Sequence, residues 1–459
     1  MEKADLLIRQ IHAYAPNDLG VVDIAVKDSK IAAIGTSLAW EADTVIAGKG
    51  KTLLPGLIET HAHMSMPFAG TKTMNTFQDG TFAGAFGGVT TLIDFAQQIG
   101  GTSLHQSLRD RLEEAEGRCY VDYGFHITLT DTSPETLAEI PDLCSEGFTS
   151  FKLHTTYKAG GLYIDTKGLE KCFAAVAKAG GLVTVHAEND DIMAAAAKKL
   201  IDAGKTAARF FPLSKPDEAE AEAVSRCIRI AGATGCKLLI RHISSRAAAE
   251  AILEAQHEGC PVYAETCPQY LAFTRQVYDR EDGRDFILHP PIRGEKDREA
   301  IWNAIEAGMI TVIATDDCGF FRRQKRMSDT FYGVPGGLPG IETRLLALCG
   351  LGIDSGRINF SRFAEITSET PAKLYGLYPG KGTIRVGSDA DLVILDTNKR
   401  TVICADTLHE QADYTPFEGF AVQAALEKTI AEGKVIVDGS SFLGTKGAGR
   451  LLHRDYPSA

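Results

Sequence analysis

Six side chains able to bind metal stand at the ends of short apolar runs. His61 and His63, in "ETHAH", share one side of an extended chain by the two-residue strand period. His186 closes "LVTVH", His242 closes "LLIRH", and Asp316 stands in "VIATDD". Imidazole and carboxylate together suit zinc or a neighbouring first-row divalent ion. Lys152, in "FTSFKLHTTYK", lies near the end of a run that reads as a buried strand. Lysine is rarely buried without a partner. Its plain reading is a side chain that snorkels to solvent. Beside a dication, however, a free ammonium would be repelled and would have to lose its charge. An amine that takes up carbon dioxide becomes a carbamate, an anion with two oxygens that can bridge two metals. Such a site can hold a shared hydroxide.

These residues need a frame that gathers strand ends. The middle of the chain alternates strand and helix. "GLIETHAH", "VTTLIDFA", "DYGFHITL", "TSFKLHT", "LVTVHAE", "KLLIRHIS", "PVYAET" and "ITVIATDD" read as strands. "SLHQSLRDRLEEAEG" and "DREAIWNAIEAG" read as helices between them. Eight such alternations predict an α/β fold, a (β/α)8 TIM barrel, over residues 55–376. A doubly wound open sheet is the competing reading, but the Gly-rich phosphate turn it would carry after its first strand is missing. Residues 1–54 and 377–459 are rich in short β-type runs and tight turns, "KDSK" among them. They are expected to pair into one small β-sandwich domain, with an oligomerisation tail at the C-terminal end. Two long connections, 266–296 and 317–340, would hang over the C-terminal face of the barrel, where active sites sit.

Composition narrows the function. A 44% hydrophobic, 24% charged chain of 459 residues is an ordinary globular one. A formal net charge of −12 argues against nucleic acid as a partner. No apolar run approaches the roughly 20 residues that span a membrane. "MEKADLLIRQ" lacks the features of a signal peptide, so a cytoplasmic location is expected. The ten cysteines show no CxxC pair and are expected to be reduced and mostly buried.

The constellation resembles the amidohydrolase superfamily and, within it, cyclic amidases of the dihydropyrimidinase and hydantoinase type. The resemblance rests on "THAHMSMPFAGTKTMNTFQDGTFAGAFGGVTTLIDF", "SFKLHTTYK", "VHAEND", "ETCPQYL", "PPIRG", "GLPGIETR", "DYTPFEGF" and "GSDADLVILD", in family order. It implies two divalent metals, expected to be zinc. His61, His63 and Asp316 would bind the more buried ion, and His186 and His242 the more exposed one. Lys152, as N6-carboxylysine, would bridge them. It also implies that Tyr157 stabilises an oxyanion and that Asp316 shuttles the proton. A shared hydroxide would then open a dihydropyrimidine or 5-substituted hydantoin to an N-carbamoyl amino acid. In relatives the tail packs on a neighbouring subunit, which implies a homotetramer.

The chain departs from the family pattern at four places. Asp317 stands where histidine is usual, and Glu59 where aspartate is common. His289 replaces a serine at a position that contacts the ring imide, and Gly336 replaces an asparagine in the eighth loop. His289 and Gly336 are therefore expected to bear on substrate choice. An allantoinase or a dihydroorotase is an alternative; a substrate that carries a carboxylate would want an arginine in the pocket, with Arg293 and Arg344 as candidates. A metal-free scaffold and a metal-dependent deaminase are the remaining alternatives.

Overall fold

The structure, a computed structural model, describes residues 2–457. Eight parallel strands run in sequence order around one sheet. They are β1 (Leu57–Glu59), β2 (Val89–Gln97), β3 (Asp122–Thr128), β4 (Ser150–His154), β5 (Leu182–His186), β6 (Lys237–Ile240), β7 (Val262–Thr266) and β8 (Val312–Ile313). Their residues are buried almost throughout, as expected for strands covered by helices on one side and by the barrel core on the other. Side-chain caps start the covering helices. Ser103 caps Leu104–Ala115, Asp165 caps Thr166–Lys178 and Ser245 caps Arg246–His257.

The ring closes between β1 and β8 just past the strand ends. Ala62 and Asp317 form a parallel bridge. His63 N donates to Asp317 O at 2.8 Å, and Asp317 N to His61 O at 3.1 Å. Deeper down, Arg344 donates to Ile58 O at 3.1 Å and Ile313 O at 3.0 Å, and pairs with Glu59 at 3.3 Å. The barrel reading thus holds, and the open sheet does not. The floor is packed by Leu374, Tyr375 and Leu377 against Ile58, Ile93, Leu182, Leu239 and Val312.

The two ends of the chain meet in one nine-stranded sheet. Strand Leu392–Asp396 joins it by pairing antiparallel with Thr52–Pro55, so Val393 faces Leu54. The sheet curls over its own apolar core and returns on itself at a Lys30–Asp389 bridge. "KDSK" is the expected hairpin turn, with Asp28 (φ 50°) and Ser29 (φ 63°) both left-handed. Buried Lys381 fixes this sheet to the barrel. Its ammonium lies among Asp122 (2.8 Å), Asp389 (3.2 Å) and Asp391, and so fills an acidic cluster that could otherwise attract a cation. The ten cysteines are unpaired, eight of them buried. No helix among the described residues is long and apolar enough to cross a membrane.

Candidate active site

At the C-terminal mouth of the barrel lies a cavity of about 620 Å³. His61, His63, Lys152, Tyr157, His186, His242, His289, Asp316 and Gly336 all line it. Chain direction explains the gathering. The strands are parallel, so their C-terminal ends deliver side chains to one rim. His186 is the last residue of β5, His242 follows β6 by two, and Asp316 follows β8 by three. Lys152 sits deeper than its run suggests. It is the third of five residues in β4, level with Thr128 and Thr184 in the neighbouring strands.

The nitrogen and carboxylate atoms converge. His61 Nε2 is 3.1 Å and His63 Nε2 3.2 Å from Asp316 Oδ1. Donor atoms of His61, His242 and Asp316 all lie within 4.8 Å of one another. The rings of His186 and His242 are 4.4 Å apart, and those of His61 and His242 5.5 Å. Glu265 Oε1 accepts from His61 Nδ1 at 2.6 Å, which leaves Nε2 as a lone pair aimed at the Asp316 carboxylate. Two acceptors facing each other at that distance call for a cation between them. Burial above all pulls His61, His242 and His186 below the ordinary histidine value, towards the neutral form that binds metal. The residues present therefore fit a divalent metal centre.

Lys152 is the anomaly. Three other lysines buried in this fold have evident partners. Lys381 has its aspartates, Lys215 pairs with Glu188 at 3.0 Å, and Lys325 donates to the carbonyls of Ile287, Pro335 and Gly337. Lys152 is 2% exposed, yet its Nζ makes no hydrogen bond or ion pair among the described residues and lies 5.6 Å from the Phe95 ring. Burial first, then Arg241, pushes it down to about 7.

The backbone is strained at three of these residues. Tyr157 (φ 67°), His242 (φ 39°) and Asp316 (φ 54°) are all left-handed, a conformation that non-glycine residues rarely adopt. Such strain persists where the surroundings impose it, and it clusters at functional sites.

Residues 52–436 match the amidohydrolase family over most of the chain. The chain belongs to that family. It is 37% identical to a D-hydantoinase of Geobacillus stearothermophilus over 453 residues, 98% of this chain and 96% of that protein. It is 37% identical to a D-hydantoinase of Streptomyces coelicolor, covering 94% of each. A crystal structure of dihydropyrimidinase from Brevibacillus agri superposes with a TM-score of 0.96 at 36% identity, over 98% of both chains. The expected family and fold are both met.

The sequence departures now have neighbours. Asp317, unlike Asp316, does not line the cavity. Its carboxylate accepts from Asn75 Nδ2 at 3.1 Å and Gly340 N at 2.9 Å, and burial pushes it up to about 6. Glu59 accepts from His61 N at 2.9 Å and Thr315 N at 3.2 Å, so one carboxylate ties together the segments that carry His61 and Asp316. Arg293 is held by Asp217 and Glu220, and Arg344 by the β1–β8 seam. Neither lines the cavity.

Sequence reasoning missed four residues. His154 lines the cavity on the same face as Lys152, two residues on, and the strand period alone could have flagged it. Glu265 and Arg241 support His61 from beneath. Glu188, in "HAEND", stands 2.8 Å from His186 Nε2. Burial pushes Glu188 up, but Lys215 and His186 more than offset it, so it stays ionised.

Proposed function

We propose that this protein opens a cyclic amide by hydrolysis, with a dihydropyrimidine or 5-substituted hydantoin as substrate and an N-carbamoyl amino acid as product. The observation that carries it is a buried lysine without a partner, set among four histidines and an aspartate at a barrel mouth. Relatives named D-hydantoinase, matched over nearly the whole chain, support the substrate class.

His61, His63 and Asp316 would hold one metal and His186 and His242 a second, with Lys152 as a carbamate between them. We take zinc as the metal, since neutral imidazole and carboxylate suit it. When bound, the ions acidify a water and polarise the amide carbonyl. The chain supplies the remaining work. Asp316 takes the proton as water oxygen bonds to the carbonyl carbon, then gives it to the ring nitrogen as the C–N bond breaks. Tyr157 is kept protonated, because burial first and then Glu188 and Asp316 raise its hydroxyl well above the ordinary value. A neutral phenol at the cavity wall can donate to the developing oxyanion.

The cavity walls set the substituent. Met66, Phe68, Leu162, Met193, Phe211 and Phe331 make an apolar surface suited to an alkyl or aryl group on the ring. Arg293 and Arg344 are engaged elsewhere, which disfavours a substrate that carries its own carboxylate. We further propose a homotetramer, as the tail's resemblance implies; light scattering tests it directly.

The test is a panel of dihydrouracil, hydantoin, 5-alkyl and 5-aryl hydantoins, allantoin and dihydroorotate, run on enzyme prepared with zinc and bicarbonate. The expected result is turnover of an imide ring, best with an apolar 5-substituent, and lost in Lys152→Ala. Turnover of dihydroorotate alone would overturn the substrate assignment. No turnover and no bound metal would overturn the function.

A further inference from the structure

We infer that Arg454, in the C-terminal tail beneath the barrel, is a positioning residue for His61 at the opposite end. The inference rests on the reading of His61 as a metal ligand.

The tail runs along the barrel floor of its own chain. Tyr123 N donates to Arg450 O at 2.9 Å, and Leu452 N to Tyr123 O at 2.8 Å. Arg454 then turns its side chain up into the barrel and is 3% exposed. It forms no ion pair among the described residues. A guanidinium buried without a counter-ion is costly, so its contacts are informative. Nη2 donates to Phe125 O, and Nη1 to Ser150 Oγ at 2.9 Å.

From Ser150 a line of hydrogen bonds climbs the barrel, joined from the side by Thr60 O at His126 and Arg241. His126 Nδ1 lies 2.6 Å from Ser150 Oγ, and Arg241 Nη2 lies 3.0 Å from His126 Nε2. A guanidinium only donates, so the contact with Arg241 makes Nε2 the acceptor and puts the hydrogen on Nδ1; Thr60 O, 3.0 Å from the same Nε2, then takes its hydrogen from Arg241 Nη1 at 2.8 Å. Arg241 Nη1 donates to Glu265 Oε2 at 2.7 Å. The other oxygen of Glu265 accepts from His61 Nδ1. Arg454, Ser150, His126, Arg241, Glu265 and His61 are each buried, so water does not substitute for a lost link. Each link fixes the next. Without Arg454, Ser150 is free to rotate and His126 to change tautomer. The other tautomer would present an N–H to Arg241, which would loosen its hold on Glu265 and hence on the His61 ring.

The neighbouring arginine provides a control. Arg450 also anchors the tail, through Asp122 at 3.1 Å and Glu432, but its side chain is 54% exposed and touches nothing in the line.

The test loads the full-length protein with zinc in bicarbonate and follows release into excess chelating dye. The proteins compared are wild type, Arg454→Met, Ser150→Ala, Glu265→Gln, Arg450→Ala and the double variant Arg454→Met/Glu265→Gln. Loss of a carboxylate behind a ligating histidine speeds release about 10- to 100-fold, which is expected for Glu265→Gln. Arg454→Met and Ser150→Ala are expected to speed it about three- to tenfold, a smaller share of the same effect. The double variant should release no faster than Glu265→Gln alone, because both act on one line. Arg450→Ala should match wild type. Ser150→Ala carries the test if Arg454→Met fails to fold. Wild type that retains zinc, with Ser150→Ala and Arg454→Met releasing it at the same rate, would overturn the inference alone. Additive effects in the double variant, or equal loss in Arg450→Ala, would overturn it too. Wild type that takes up no zinc would overturn the metal reading as well.

Discussion

Gly336 has no Cβ because the imidazole of His289 occupies that place. A Cβ built on Gly336 would overlap Cδ2 and Nε2 of the ring. The two departures from the family pattern are therefore one exchange: a larger side chain on the seventh loop and a smaller one on the eighth. Lys325 locks the pair by holding the carbonyls of Ile287, Pro335 and Gly337 together. Gly336→Ala is expected to displace His289 and lower kcat/KM by about tenfold or more, the scale on which small misplacements act. Adding His289→Ser should restore much of the loss. A double-mutant cycle on kcat/KM checks it; additive losses would show that the two positions are independent.

Lys152 is expected to carry a carbamate in the active enzyme. Protein prepared with 13C-bicarbonate and zinc should show a carbamate carbon resonance that is absent from Lys152→Ala. Turnover in the variant should fall by at least about a thousandfold, as for loss of a central electrostatic group. A short carboxylic acid supplied in solution should return part of it. A variant that keeps its metals and its rate would rule out the bridge.

In metal-free protein stripped of bicarbonate, the same lysine should tilt stability with pH. Its folded value is about 7 against an ordinary 10.5. Between those values the unfolded chain binds more protons, so stability rises with pH across that window. Below about 7 both states are protonated and the burial cost is fully present. The difference between wild type and Lys152→Met should climb by up to about 1.4 kcal/mol per pH unit between pH 7 and 10.5. Urea unfolding at a series of pH values measures it, and the comparison with Lys152→Met cancels the similar contribution of Lys325. A flat difference would place the amine in contact with solvent.

Glu188 joins His186 to Lys215, and all three are buried. Glu188→Gln removes the carboxylate that pairs with the Lys215 ammonium at 3.0 Å. A broken buried pair costs about 3–5 kcal/mol. His186 should also lose its orientation, with metal affinity down about 10- to 100-fold. Thermal unfolding and metal titration read the two effects separately. Glu188→Gln/Lys215→Met should recover stability but not metal affinity, because only the first loss is one of charge.

The barrel was legible because its signal is local. Strand and helix periods, and the apolar runs of β2 to β7, are written within stretches of ten residues or fewer. Their ends could be read too, so His61, His63, His186, His242 and Asp316 were visible as candidates at the termini of parallel strands, whereas Lys152 lies mid-strand and Tyr157 was picked out by the family resemblance. Parallel strands in one barrel can present their C-terminal ends only to one rim. The pairing of Leu54 with Val393 was expected only as a shared β texture, because register depends on which strands meet.

What the sequence determined by itself was a set of candidate side chains and the frame that gathers them. The tertiary structure decided which of those groups lack partners and which are held. Lys152 stands alone although Lys215, Lys325 and Lys381 do not. Arg293 and Arg344 brace the scaffold rather than the cavity. Gly336 makes room for His289, and Arg454 reaches His61 through four intervening side chains. Each of these facts joins residues far apart in the chain. Closing the barrel sets their separation, and burial raises the cost of every missing partner.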